Sequence, residues 1–202
     1  MNFISTIAIA MGAAWVSGIK LYAAVATLGL LGRFANLRLP GELEVLTNWW
    51  VIGVALALFV IEFVADKIPI VDSTWDVVHT FIRIPAGAVI AAAAFGDFDR
   101  GVQVVAFLIG GGLALSSHGT KTTTRAVVNT SPEPFSNIGV SLAEDALSIG
   151  SMFLAAFFPI LLFIVVGIGL LVSIIVLPKI IRYIRGVIRK ARKLMGGDST
   201  PA

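Results

Sequence analysis

The stretch MNFISTIAIAMGAAWVSGIKLYAAVATLGLLG, residues 1–32, decides the class of this protein. It holds a single charged residue, Lys20, and a helix needs about 20 mostly apolar residues to cross a bilayer. The stretch is therefore long enough for one over-long membrane helix or for two half-length pieces. A secretory signal starts with a basic region, which is missing here, so we expect the segment to be retained as a membrane helix.

The composition of the whole chain agrees with a membrane protein. Hydrophobic residues make up 57% of the 202 positions and charged residues 13%, whereas soluble domains are roughly 45–50% apolar and 25% charged. We predict an all-α integral membrane protein with about five transmembrane helices, some of them broken or re-entrant. The predicted spans lie within residues 1–32, 45–61, 73–96, 101–117 and 146–177, and Pro159 is expected to kink the last one.

The basic residues are concentrated at the C-terminal end. Residues 1–177 carry 8 basic and 11 acidic side chains, while residues 178–202 carry 7 and 1. We predict one transmembrane domain, residues 1–177, and a cytoplasmic tail, residues 178–202, that forms a basic amphipathic helix on anionic lipid. Its basic residues are Lys179, Arg182, Arg185, Arg189, Lys190, Arg192 and Lys193. The alternative is a tail that only fixes topology, and no motif supports binding to nucleic acid.

The tail also predicts the topology, because lysine and arginine beside a membrane helix stay on the cytoplasmic side. With the C-terminus inside, five crossings place the N-terminus outside. Arg33 and Arg38 then lie on the cytoplasmic side, and residues 66–76 lie outside. A four-crossing alternative folds residues 1–32 back as a hairpin and puts the N-terminus inside.

Four ionisable residues form a stripe in the third predicted span. Asp72, Asp76, His79 and Arg83 are spaced at i, i+4, i+7 and i+11, which places them on one face of a helix. Ionisable groups at membrane depth are functional candidates by default. Three interpretations stay open: a route for a coupling proton or cation, an internal ladder of salt bridges, and a metal site formed by the first three residues.

Two short motifs suggest breaks in membrane helices. SGIK, residues 17–20, and HGTK, residues 118–121, each place a glycine two residues before a lysine in an apolar context. Glycine allows the backbone to leave the helix, the freed N–H groups can bind an anion, and the lysine adds a positive charge. Secondary transporters build central sites from such broken helices. The pair predicts an inverted repeat; the alternative is a packing glycine at Gly18 and a plain loop over residues 118–145.

The segment after the second motif is expected to return into the membrane. Residues 135–150 are too polar to cross alone and too apolar for an exposed loop, so we predict a re-entrant segment buried against protein. It would bring Asn137, Glu144 and Asp145 towards Lys121 and Arg125.

Four stretches carry a resemblance to a known family. They are SGIKLYAAV, FVADKIPIVDSTWD, RIPAGA and HGTKTTTRAVVNTSPEPFSN. On these residues the chain resembles a family of small bacterial integral membrane proteins known only as domain of unknown function family 4126. The resemblance spans roughly residues 12–150. It implies a location in the bacterial inner membrane, and it implies no activity.

The function favoured by these residues is that of a small membrane transporter or lipid-transporting permease with a polar, anion-binding cavity. Its substrate would be an anionic small molecule or a lipid phosphate. The predicted substrate-binding residues are Ser17, Gly18, Lys20, His118, Gly119, Lys121, Arg125 and Asn129. The predicted countercharge or coupling residues are Glu62, Asp66, Lys67, Asp72, Asp76, His79, Arg83, Glu144 and Asp145. No cofactor is expected, and a metal ion and a homo-oligomer are left open.

Two other classes of function compete. A membrane-embedded hydrolase or metal-dependent enzyme would use Ser117 and His118 with a carboxylate, or the Asp and His stripe, although no known hydrolase motif is present. A non-catalytic assembly or partner protein would use the polar residues only to specify packing. In that case a charge-swapped pair such as Asp76 with Arg83 retains function.

Overall fold

The computed structural model of the chain describes residues 3–129 and 134–194, which contain helices and no strand. The elements in order are α1 (Phe3–Phe34), a 3-10 helix (Gly41–Thr47), α2 (Trp49–Ala65), α3 (Pro69–Ala94), α4 (Arg100–Val128), α5 (Pro134–Phe157) and α6 (Pro159–Leu194). Five helices are long and apolar enough to cross a membrane: Phe3–Phe34, Val71–Ala94, Arg100–Val128, Phe135–Phe157 and Pro159–Lys179. The protein is thus a multi-pass all-α membrane protein, as predicted.

The helix α1 is broken at Lys20, whose backbone is extended (φ −146°, ψ 80°). Before the break Gly12 faces Ala155 of α5, and Lys20 itself pairs with Asp145, ten residues earlier in α5. After the break the second half of α1 shares a groove with Phe153, so it runs back along α5. Lys20 therefore lies at the tip of a hairpin made of two half-length helices, each about 20–25 Å long at 1.5 Å per residue.

The hairpin defines two ends of the helix bundle. At the loop end, Phe3 packs against Phe98 after α3, and Arg38 lies near Asp97. At the tip end, Lys20 lies beside the α2–α3 turn and the last turns of α4. Leu177 of α6 also lies at the tip end, because it faces Gly119 of α4.

This arrangement corrects part of the predicted topology. The last predicted span, residues 146–177, is two helices, because α5 ends at Phe157 and Pro159 begins α6 instead of kinking one helix. Proline is well tolerated in the first helical turn, where its missing N–H has no partner to lose. One additional crossing places the start of the tail at the same end as residues 66–76 and opposite Arg33 and Arg38, contrary to the prediction.

The predicted break at residues 118–121 is wrong. The helix α4 continues through them to Val128. Its threonines are accommodated because their hydroxyls donate to carbonyl groups of the preceding turn, as Thr120 does to Ser116 (2.9 Å) and Thr122 to His118 (3.0 Å). The inverted repeat therefore loses one of the two breaks on which it rested, and residues 118–128 are not a loop.

The predicted re-entrant segment is also wrong, since residues 135–150 belong to the spanning helix α5. The half of the segment that looked too polar faces the other helices: Asn137, Ser141 and Asp145 are buried. A helix can cross the membrane with such residues when they meet partners inside the protein.

Close packing at two glycines joins α1, α3 and α4. A Cβ at Gly18 would meet the Ser117 hydroxyl and the Ala114 carbonyl of α4, and a Cβ at Gly87 of α3 would meet Ser17 of α1. Small residues at helix crossings allow this approach in membranes. It brings the polar faces of the three helices together near the tip of the hairpin.

The basic tail continues α6 without interruption. The helix passes through Pro178 and extends to Leu194, so the predicted helix after Pro178 is confirmed that far. The rest of the predicted tail, residues 195–202, lies outside the described residues, as do the side chains of most of its basic residues.

Candidate functional site

The predicted stripe on α3 is formed. Asp72, Asp76, His79 and Arg83 are all buried on one face of the helix. Arg83 donates to Asp76 at 2.7 Å and also pairs with Glu62 of α2. Arg83 therefore joins the stripe to a carboxylate of a second helix, and these ion pairs form part of an internal salt-bridge ladder.

Lys20 pairs with two carboxylates at the tip of the hairpin. Its Nζ contacts Asp66, in the α2–α3 turn, and Asp145 of α5 at 2.9 Å. The lysine and Asp66 are both fully buried. An isolated charge at this depth is strongly disfavoured, so these pairs fix the tip of α1 against α2 and α5.

The helix α4 contributes Lys121 one turn beyond Ser117. Its Nζ donates to the carbonyl of Ile19, beside the break in α1, at 3.1 Å. It also lies 3.4 Å from Asp66, 3.5 Å from Asp76 and 3.5 Å from Glu144. Lys121 therefore connects the hairpin tip, the α3 stripe and α5.

Arg125, one turn further along α4, binds Glu144 through two parallel hydrogen bonds. Nε lies 3.1 Å from Oε1, and Nη2 lies 2.8 Å from Oε2. The other side of the guanidinium contacts Asn137 and lies 3.7 Å from Asp72. Arg125 thus stands between a carboxylate of α5 and one of α3.

The remaining predicted residues lie around this network. Asn129 donates to Asp72 at 2.9 Å. Lys67 is at the edge, with its side chain 23% exposed, 3.1 Å above the Phe63 ring and 4.0 Å from Asp145. The charged side chains from these distant segments therefore meet in one network, and their roles in binding or coupling stay predictions.

The two histidines are held by neutral groups. His79 stacks on Trp75 (4.3 Å between ring centroids) and lies 3.1 Å from the Tyr22 hydroxyl. His118 lies 2.7 Å from the hydroxyl of Thr80 and 3.1 Å from the carbonyl of Gly18. Both rings link α3 or α4 to the hairpin.

The residues named for the enzyme alternative make packing contacts and ion pairs in the described part of the chain. Ser117 donates to the carbonyl of Trp15 at 2.6 Å, while the neighbouring His118 ring binds Thr80 and Gly18, so the serine and histidine serve separate packing contacts. Among the described residues, no group of three His, Cys, Asp or Glu side chains is placed to hold a metal ion. Asp72 and Asp76 of the proposed metal set face arginines.

A cleft of about 460 Å³ lies beside the network, between α1, α4, α5 and α6. Its walls are mostly apolar and include Trp15, Leu147 and Ile168. Lys121 and Glu144 provide the charged part of the lining. The lining is therefore mostly apolar, and its two charged groups form one pair, 3.5 Å apart.

Of the eight predicted substrate-binding residues, Lys121 lines this cleft. Ser17 and Gly18 lie in the crossing of α1 with α3 and α4, and Gly119 faces Leu177. Sequence reasoning missed Trp15, because an aromatic residue in an apolar helix gives no signal of a cleft.

Residues 7–179 match the family described as Domain of unknown function (DUF4126). The chain belongs to the DUF4126 family. The match extends from the first half of α1 to the start of the basic tail, so it includes every charged residue of the network. No curated protein and no solved structure matches the chain with significant similarity. The family description gives no activity.

Proposed function

We propose that this DUF4126 protein is a small permease that moves an amphipathic anion, such as a lipid with a phosphate or carboxylate head, through the cleft beside the ion network. The observation that carries the proposal is the cleft itself. Its apolar walls suit an acyl chain, and its charged part, at Lys121 and Glu144, is connected to a buried network. Ligand sites of this kind combine an apolar surface with a few polar groups that fix orientation.

The proposed anion would take the place of Glu144 on Arg125. Glu144 lines the cleft and is 12% exposed, while Arg125 presents two parallel N–H groups to it. A phosphate or carboxylate accepts the same two hydrogen bonds. Lys121, 3.5 Å from Glu144, would add a second positive charge to the bound head group.

The break in α1 supports a role in transport. Lys20 interrupts the helix where the ion pairs converge, and the carbonyl of Ile19 beside the break accepts from Lys121. Helices broken at a buried charged site are a recurrent feature of secondary transporters. The backbone at the hairpin tip is not helical, so side-chain contacts hold the tip in place within the network.

We also propose a bacterial inner-membrane location with the network near the cytoplasmic side. The basic tail starts at the same end of the bundle as the network, and such residues favour the cytoplasm.

The function is tested by measuring transbilayer movement of fluorescent phosphatidylglycerol in proteoliposomes. Ala143→Phe fills the cleft without changing a charge, and we expect movement to fall to the rate of protein-free vesicles. Ala126→Phe places the same side chain at an exposed position of the neighbouring helix α4 and is the control.

The charged part of the cleft is tested in the same assay. Lys121→Ala is expected to abolish movement, whereas Lys179→Ala removes an exposed lysine and is expected to leave the rate unchanged. Wild-type protein that moves neither this lipid nor a fluorescent fatty acid, or an Ala143→Phe variant as active as wild type, contradicts the proposal.

A second candidate, a non-catalytic assembly protein, is favoured by the close Asp76–Arg83 pair at 2.7 Å. It predicts that the double exchange Asp76→Arg with Arg83→Asp retains the fold and the cellular role. The permease proposal expects the exchange to disturb the site, because Asp76 also faces Lys121.

A further inference from the structure

Within the described part of the chain, the ion network contains one more acid than base. Its acidic side chains are Glu62, Asp66, Asp72, Asp76, Glu144 and Asp145. Its basic side chains are Lys20, Lys67, Arg83, Lys121 and Arg125. With every group ionised and both histidines neutral, the formal charge is −1. A net charge at this depth is costly, so the network has a place for one balancing positive charge.

Asp72 is the carboxylate with the weakest ion pair. Its nearest described cation is Arg125, at 3.7 Å, whereas each of the other five acids has a cation within 3 Å. Its side chain is 0% exposed, and Oδ1 has no hydrogen-bond partner among the residues that the structure describes. A carboxyl group that is buried without a close cation favours its neutral, protonated form.

The surroundings of Asp72 add to this preference. The groups that face it are the guanidinium of Arg125 and the amide of Asn129 from α4, and the carboxylates of Asp66 and Asp76. Two carboxylates thus oppose a negative charge on Asp72, whereas the hydrogen bond from Asn129 and the more distant guanidinium of Arg125 support it. A metal ion is a poorer fit, because the described residues offer no three ligands that converge.

We propose that the carboxyl group of Asp72 carries the balancing proton, and that this proton is the coupling ion of the permease. The first half of the proposal stands on the network alone, and the second half rests on the proposed function. With Asp72 neutral, five acids face five bases and the network is balanced.

The position of Arg125 provides the coupling. It lies 2.8 Å from Glu144 and 3.7 Å from Asp72. When Asp72 loses its proton, its charge attracts Arg125 away from the cleft, and when Asp72 is neutral, Arg125 is left to bind the anion. Proton and anion therefore bind together, and each increases the affinity for the other by the same factor.

The proton is tested by infrared spectroscopy of the full chain in lipid nanodiscs. We expect the carbonyl band of a protonated carboxylic acid at neutral pH, shifted by ¹³C-aspartate labelling and not by ¹³C-glutamate labelling. The band is lost in Asp72→Asn and retained in Asp97→Asn, which changes an exposed aspartate outside the network. Labelling of the wild type assigns the band to aspartate even if the Asp72 variant fails to fold.

The coupling is tested by binding of a fluorescent fatty acid as a function of pH. We expect the wild-type Kd to rise with pH, by at most about tenfold per unit for one linked proton, and the Asp72→Asn Kd to be independent of pH. Absence of the acid band, a band unaffected by Asp72→Asn, or a protonated His118 ring in its place overturns the proton assignment. An Asp72 band without any lipid movement or fatty-acid binding leaves the proton in place and refutes the permease.

Discussion

Replacement of Arg83 by methionine tests the energetics of the network most directly. Arg83 is fully buried and pairs with Glu62 and Asp76, which are buried as well. Methionine keeps the apolar stem and removes the charge. Asp76 retains Lys121 at 3.5 Å, whereas Arg83 is the one cation of the described residues that pairs with Glu62. The variant therefore leaves an unpaired buried carboxylate.

Breaking a buried ion pair in this way costs about 3–5 kcal/mol. For a chain of this length, 1 kcal/mol shifts the thermal midpoint by about 2–4 °C, so we expect a decrease of roughly 6–20 °C in detergent. The double variant Arg83→Met with Glu62→Gln removes the unpaired charge and should recover most of the loss. Arg100→Met, at an exposed arginine of α4, is the control. A loss below about 1 kcal/mol for Arg83→Met, or a double variant no more stable than the single one, refutes the reasoning.

Three further predictions follow from the packing and the charges. Gly18→Ala pushes α1 away from α4 and should lower the free energy of unfolding by about 1–3 kcal/mol. Gly112→Ala, where a Cβ would meet open space, should be neutral or slightly stabilising when thermal unfolding of both variants is compared. Glu144→Gln should release Arg125 and lower the Kd for a fluorescent fatty acid about tenfold; an unchanged Kd contradicts the displacement of Glu144. Because the chain has no cysteine, single cysteines introduced at positions 97 and 179 report topology. In intact cells an impermeant maleimide should label position 97 and not position 179. The opposite labelling pattern would mean that the orientation is reversed.

The class of the fold was readable from the sequence. Long apolar segments identify membrane helices because hydropathy is a property of each segment alone. The α3 stripe was predicted for a similar reason, since the spacing of Asp72, Asp76, His79 and Arg83 follows from the helical repeat without knowledge of any neighbour. The break at Lys20 was also signalled locally, by a glycine and a lysine in an apolar run.

The two wrong predictions concern polar segments whose composition suggests a broken or exposed backbone. The HGTK motif lies within the continuous helix α4, because its hydroxyl groups bind carbonyls of the same helix and His118 and Lys121 find partners on α1 and α3. Residues 135–150 cross the membrane in α5 for the same reason. A polar residue can remain in a continuous membrane helix when a residue of another helix binds it. The sequence of one segment does not show whether such a partner is present.

The sequence by itself determined that the chain is an all-α membrane protein with a polar stripe in α3, a break near Lys20 and a basic C-terminal end. These features depend on hydropathy, helical periodicity and the amount of charge in one segment. Only the tertiary structure decided that α1 folds back into a hairpin, that α4 is unbroken and which acid faces which base. A single extended residue permits many directions for the next helix, and the packing against α5 and the pairing of Lys20 with Asp66 and Asp145 select one of them. The pairing also leaves Asp72 as the acid without a close cation.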